Sequence, residues 1–190
     1  MSVALALRAE NNMIILKEDN RDERIEEIHS LYECAFPPDE KMPFNRILQK
    51  REDGVMRLLS VEDENGNFLG FANITLCFDA LALNYFAIKP QYQGNGYGTE
   101  VIIALKKRYP DRSIVVDIED DNVDSDNPEQ RKRRRAFYER LGFCAMPYRL
   151  KIFGVPSIIM SSGKNYTFDE YIKIFEQVFS TWALSHVKLY

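Results

Sequence analysis

Apolar residues recur along this chain with two different periods, and each period marks a kind of element. Residues 13–16, Met-Ile-Ile-Leu, read as a short strand. Asn20 with Glu23 three positions later opens a helix in the manner of a capping box, and Ile25, Ile28 and Tyr32 carry its buried stripe. Pro37 and Pro38 end that helix, because proline removes amide donors and favours extended backbone before it. Residues 43–50 suggest a second helix with a smaller apolar face. The runs 55–62 and 68–76 are rich in strand-forming residues and flank Asn65-Gly66, whose tolerance of positive φ suits a tight turn, so an antiparallel hairpin is expected.

A third apolar run, 81–88, leads into the glycine-rich segment 93–98 and then a helix over 99–109. Residues 114–118 follow as a strand mostly apolar on both faces, hence internal to a sheet. Strand, loop, helix and strand in that order make a βαβ unit, which implies a parallel pair. The polar residues 120–127 form a loop, and Asn127-Pro128 fits a helix N-cap with proline at the first helical position. That helix passes Phe137 and Tyr138 and stops at Gly142. Strands near 148–153 and 156–160 are joined by Gly154, and a C-terminal helix over about 167–183 presents Phe168, Tyr171, Ile172, Phe175, Val178 and Phe179 on one side. Its stripe suits either completion of the core or a homodimer contact. With no repeat or linker, residues 1–190 are expected to form a single domain, with 1–12 as a disordered leader and 165–190 as a C-terminal helical extension.

Composition narrows the function classes. The 190 residues are 45% hydrophobic and 28% charged, which suits a globular chain and not a disordered one. Against 25 Lys and Arg stand 29 Asp and Glu, and the net charge of −4 opposes nonspecific binding to phosphate polymers, so no nucleic-acid partner is expected. The basic run 131–135 lies within a helix without interleaved aromatics and reads as a solvated face. Arg131, Arg134 and Tyr138 share one side of it. Cys34, Cys77 and Cys144 lack any Cys-x-x-Cys pairing and are taken as reduced core thiols, and His29 and His186 are the only histidines, so no metal site is expected. No run approaches the roughly 18–20 apolar residues of a membrane span. The N-terminus lacks a positively charged signal-peptide start, and a cytoplasmic location follows.

Gly94, Gly96 and Gly98 stand between a buried strand and a helix start, where unpaired amides and the helix dipole favour a phosphate. A Walker A loop is excluded because Thr99-Glu100 stands where Gly-Lys-Ser/Thr would be required. A dinucleotide fingerprint counted from Gly94 finds Thr99 in place of its third glycine, although Asp117 stands about where a ribose-binding acid would. The pattern Gln93-x-x-Gly96-x-Gly98, after a strand ending Phe86-Ala87-Ile88, resembles instead the acetyl-CoA pyrophosphate loop of the GNAT superfamily of N-acetyltransferases. Residues 135–143, Arg-Ala-Phe-Tyr-Glu-Arg-Leu-Gly-Phe, look like that family's second signature at the usual separation, and the likeness extends over roughly residues 13–160.

The resemblance implies an α/β (α+β) fold with a mixed, mostly antiparallel sheet of six to seven strands and helices on both faces. It also implies an acyltransferase that moves the acetyl group of acetyl-CoA to a primary amine by direct attack in a ternary complex. Phe86, Ala87 and Ile88 would polarise the thioester through their backbone, and Gln93, Gly94, Asn95, Gly96, Tyr97, Gly98 and Thr99 would hold the pyrophosphate. Tyr138 matches the tyrosine that protonates the departing thiolate. The family's frequent asparagine seven residues earlier is Arg131 here, with Asn127 a substitute for the cofactor contact. An attacking amine must lose a proton, for which Glu119 is the first candidate base, with Asp117 and Glu40 behind it. The acidic stretch 117–126 hints at a cationic acceptor such as a polyamine, an aminoglycoside or a peptide N-terminus. A catalytically silent CoA-binding module is the alternative.

Overall fold

The computed structural model describes residues 13–18 and 20–190; the expected leader at 1–12 lies outside them. The elements follow in the order β1 Ile14–Glu18, α1 Asp22–Ala35, α2 Phe44–Glu52, β2 Arg57–Asp63, β3 Phe68–Cys77, β4 Ala80–Ile88 and α3 Tyr97–Arg108. Then come β5 Ser113–Glu119, α4 Pro128–Arg140, β6 Cys144–Ile152, β7 Val155–Ser161, α5 Phe168–Phe179 and β8 Val187–Leu189. All eight strands form one sheet in the order β1-β2-β3-β4-β5-β7-β6-β8. Only β4 and β5 run parallel, joined through α3 as the βαβ pattern requires. Every other pairing is antiparallel.

Each sheet face has its own core. On one, α1, α2 and α5 pack around Tyr32, Phe71 and Phe175; on the other, α3 and α4 cover Leu81, Ile102, Leu105 and Val116. The β2–β3 hairpin forms as expected, with Asp63 taking the amides of Asn65 and Asn67 to close the turn. α5 buries Tyr171, Ile174, Phe175 and Val178, so its apolar stripe completes the core.

The sheet has one strand more than the sequence suggested. β8 has only three residues, too short to show a period, and it pairs with the edge of β6. Helix α5 ends at Phe179 and not near 183, because Ser180 at φ 77° turns the chain into a short 3₁₀ segment, Thr181–His186. The capping box expected at Asn20 is not formed: Arg21 is the cap of α1 and makes no side-chain bond there. A complete box sits on α5 instead, where Thr167 and Glu170 bond each other's amides. Of the three thiols only Cys77 is buried; Cys34 and Cys144 are exposed because they lie on the outward sides of α1 and β6. Among the described residues no helix is long and apolar enough to cross a membrane.

The decisive irregularity is in β4. Asn73 of β3 faces Tyr85 and Ile74 faces Leu83, which leaves Asn84 as an extra residue, a β-bulge. The bulge reverses the alternation: Ala80, Ala82, Tyr85 and Ala87 face the α1 side, while Leu81, Leu83, Phe86 and Ile88 face the α3 side. Asn84 donates to Asn73 Oδ1 at 2.9 Å and Thr75 Oγ1 at 3.0 Å, which holds the bulge in place. Beside it, Gly70 lies so close to β4 that an added Cβ would stand 2.3 Å from the Ala87 carbonyl oxygen. Gly70→Ala is therefore expected to cost about 1–3 kcal/mol in urea-unfolding stability, since neither backbone can yield cheaply.

Candidate active site

Parallel pairing of β4 with β5 covers only Ala80–Ser113, Leu81–Ile114 and Ala82–Val115. Beyond that point the strands separate, so the β5-facing edge of β4 from Leu83 onward has no strand partner. β5 stays fixed on its other side by pairing with β7. The gap opens into a cleft of about 1570 Å³ lined by both strand ends, the glycine loop, α4, α2 and the β6–β7 turn.

The loop builds one wall. After Ile88 a short 3₁₀ turn at Pro90–Tyr92 leads to Gln93, whose side-chain amide donates to the Ile88 carbonyl at 2.9 Å and closes the loop on its own strand. Gly94 and Gly96 have φ of 77° and 87°, a region other residues enter only with strain. Gly96 caps α3 and accepts the Thr99 amide at 2.9 Å. Among the described residues no acceptor meets the amides of Gly94, Gly96, Tyr97 or Gly98. Several unpaired N–H groups at a helix N-terminus form an anion cradle. Of the loop residues proposed from sequence, Gln93, Gly94, Gly96, Tyr97, Gly98 and Thr99 border the cleft, and so do Phe86, Ala87 and Ile88. Asn95 points back to the Tyr92 carbonyl at 3.4 Å and does not border it.

Tyr138 comes from α4 and is 7% exposed. Three other buried tyrosines anchor their hydroxyls to backbone: Tyr32 to Met42, Tyr85 to Glu40 and Tyr166 to Asp79. The Tyr138 hydroxyl has no such partner among the described residues and borders the cleft. Burial raises its pKa above the ordinary phenol value, with Arg134 lowering it and Asp117 raising it further.

The two carboxylates of β5 have different surroundings. Glu119 is 7% exposed and gripped on both oxygens, by Arg131 Nε at 3.2 Å and by the Arg134 guanidinium. Both carboxylate oxygens are thus occupied by guanidiniums, which leaves neither turned to an incoming amine and counts against Glu119 as the base. Asp117 stands two residues earlier with its carboxyl open to the cleft, yet protein surrounds it on the floor. Burial pushes it up to about 6, against the lowering pull of Arg134. Asn127 is turned away, bonded to Arg131 Nε at 3.0 Å and Gln130 Oε1 at 3.2 Å, and does not border the cleft.

The acidic stretch is engaged elsewhere. Asp120 binds Arg149 at 2.6 Å and the Tyr190 hydroxyl at 2.7 Å, and Asp121 binds Arg135 at 2.9 Å. Of the acidic residues in 117–126 only Asp117 and Glu119 border the cleft, so the stretch gives no support to a polycationic acceptor. The run 131–135 is likewise an ion-pair lattice more than a solvated face, because Arg131 and Arg134 meet Glu119 and Arg135 meets Asp121. No three His, Cys, Asp or Glu side chains among the described residues are disposed to hold a metal.

The family model of the acetyltransferase (GNAT) family matches residues 25–143. The chain belongs to the GNAT acetyltransferase family. Solved structures share its fold: a protein described as a GNAT-family acetyltransferase from Bacteroides thetaiotaomicron has a TM-score of 0.71 at 20% identity, over 90% of this chain and 98% of that one. An aminoglycoside 6′-N-acetyltransferase complexed with coenzyme A has a TM-score of 0.63 at 17% identity, over 78% and 95%. A Vibrio cholerae spermidine N-acetyltransferase in complex with CoA and spermine has 0.61 at 15% identity, over 85% and 99%. No curated protein sequence matches the chain significantly. In this GNAT chain the matched region ends just after α4, so α5, β8 and the β6–β7 turn, which borders the cleft, lie outside it.

Signals for part of this site were missed in the sequence. Asn84, a lone polar residue in an apolar run, marks the bulge. Phe153 in a turn and Trp182 beyond a helix end mark a further wall, at positions where apolar side chains have no core to enter. Gly96→Val is expected to weaken CoA binding at least tenfold by calorimetry while the far-UV circular dichroism stays native, since the side chain strains the φ of 87° and blocks the cradle.

Proposed function

We propose that this chain, folded as a single domain over residues 1–190, is an N-acetyltransferase that moves the acetyl group of acetyl-CoA to a primary amine by direct attack within a ternary complex. The observation that carries this reading is the convergence in one cleft of a free strand edge, a cradle of unpaired amides and a tyrosine hydroxyl without a protein partner. Acetyl-CoA supplies the activated thioester. The loop amides of Gly94, Gly96, Tyr97 and Gly98 hold its diphosphate. The unpaired amides of β4 between Leu83 and Ile88 point into the gap, where they orient the thioester carbonyl and stabilise the oxyanion that develops on it. This edge is available only because the strands part.

Asp117, ionised, takes the proton from the incoming ammonium directly or through one water. Glu119 serves instead as counter-ion to Arg131 and Arg134, and Arg134 is thereby held beside Tyr138 at the cleft. The Tyr138 hydroxyl, kept protonated by burial, gives its proton to the departing thiolate as the C–S bond breaks, and the second proton lost by the acylated nitrogen restores it. Both proton carriers flank the same opening, so neither group has to move far.

Release of CoA thiol from acetyl-CoA over a panel of primary amines tests the activity; CoA binding without thiol release for any amine would make the chain a silent binder. Tyr138→Phe is expected to lower kcat by on the order of 10² with little change in the KM for acetyl-CoA. Because Asp117 must be ionised and its carboxyl is raised to about 6, kcat/KM should fall as pH drops through about 6. Asp117→Asn should lower the rate and remove that acid limb. Glu119→Gln should keep the limb and show its loss in thermal stability, since it leaves two guanidiniums unpaired.

A further inference from the structure

The cleft has a wall that the matched family region does not supply. Phe153 in the β6–β7 turn, Phe179 at the end of α5 and Trp182 beyond it border the same opening as Asp117. Their rings are in contact: Phe153 lies 5.8 Å from Phe179 and 5.9 Å from Trp182, and it stacks on His186 at 5.0 Å. Phe179 also packs against the core, but core packing does not explain the other two, since Phe153 is 38% and Trp182 64% exposed.

The backbone is strained to put them there. Among the described residues three non-glycine positions have positive φ, and two belong to this wall: Phe153 at 49° and Ser180 at 77°. Phe153 occupies a two-residue hairpin turn that Asn-Gly would make without strain. Ser180 ends α5 and redirects the chain toward the cleft. Strain of this kind persists where surrounding structure enforces it, and it collects at ligand sites.

Across the opening stands α2. Lys50 donates to the Ser180 hydroxyl at 3.3 Å, which brings α2 against the aromatic wall. Arg46, one turn earlier on the same face, also borders the cleft and has no ion-pair or hydrogen-bond partner among the described residues. Burial lowers the Lys50 pKa; nearby Asp53 raises it, and Arg46 lowers it further. Asp53 is itself engaged by Gln49 at 3.1 Å. Two cations at i and i+4 repel and destabilise a helix, so the pair makes better sense with an anion between them.

Resting on the acetyltransferase reading, the geometry points to an acceptor that is a primary amine with two further features: a flat apolar ring that lies on Phe153 and Trp182, and an anionic group met by Arg46 and Lys50. An amino acid or short peptide with an aromatic side chain has this chemistry. A polyamine has neither feature.

Trp182 is the only tryptophan in the chain, so its fluorescence reports on the wall directly. Glycylphenylalanine carries amine, ring and carboxylate, its amide lacks the anion, and spermidine lacks both ring and anion. With CoA bound, glycylphenylalanine is expected to shift Trp182 emission to the blue, its amide to bind about tenfold more weakly, and spermidine to cause no shift. Arg46→Gln should abolish the difference between acid and amide. In turnover, kcat/KM for glycylphenylalanine should exceed that for spermidine at least tenfold, and Trp182→Ala should raise its KM about tenfold while CoA affinity is unchanged. Equal binding of acid and amide, or faster turnover of spermidine, would overturn the proposal. An emission shift without thiol release for any amine would support the wall and count against acetyl transfer, so the two readings fail separately.

Discussion

The separation of two parallel strands is the constraint from which the rest of this molecule follows. β4 and β5 share three residue pairs and then part, because an extra residue at Asn84 bends β4 while β5 remains bonded to β7. A bulge usually costs a sheet some ladder bonds. Here the Asn84 amide recovers two bonds from Asn73 and Thr75, and the strand edge it leaves unpaired becomes the inner surface of a cleft. Gly70 permits the close approach of β3 and β4 next to that point. Backbone geometry alone thus creates a site in the middle of a sheet that would otherwise be closed.

Charge pairing then fixes what faces the opening. Glu119 is buried, and a carboxylate buried without partners would cost several kcal/mol, so its two guanidiniums are a structural necessity. They tie α4 to β5 and leave Asp117 as the β5 carboxylate exposed to the cleft. Asp120 and Asp121 are drawn off in the same way by Arg149 and Arg135. A stretch that looks uniformly acidic in one dimension is divided in three, with a single acid left open at the floor.

Much of the fold was legible in order: seven of the eight strands, all five helices, the Asn65-Gly66 turn and the parallel βαβ unit follow from periodicity and from glycine and proline placement. The glycine loop and the helix carrying Tyr138 were equally plain, because local backbone needs dictate their residues. β8 was not legible, since three residues carry no period. Nor was it legible that the guanidiniums of α4 would reach Glu119 and not Asp117. The aromatic wall was hidden for a related reason: Phe153, Phe179 and Trp182 come from separate elements and meet only after β6, β7 and α5 have packed.

What the sequence by itself determined is therefore the set of elements and the anion cradle, because both depend on neighbours a few residues apart. Only the tertiary structure decided where the sheet opens, which carboxylate stays free and what lines the far wall. Those outcomes depend on contacts between residues 15 to 130 positions apart, such as Glu119 with Arg134 and Lys50 with Ser180, and no local pattern encodes them.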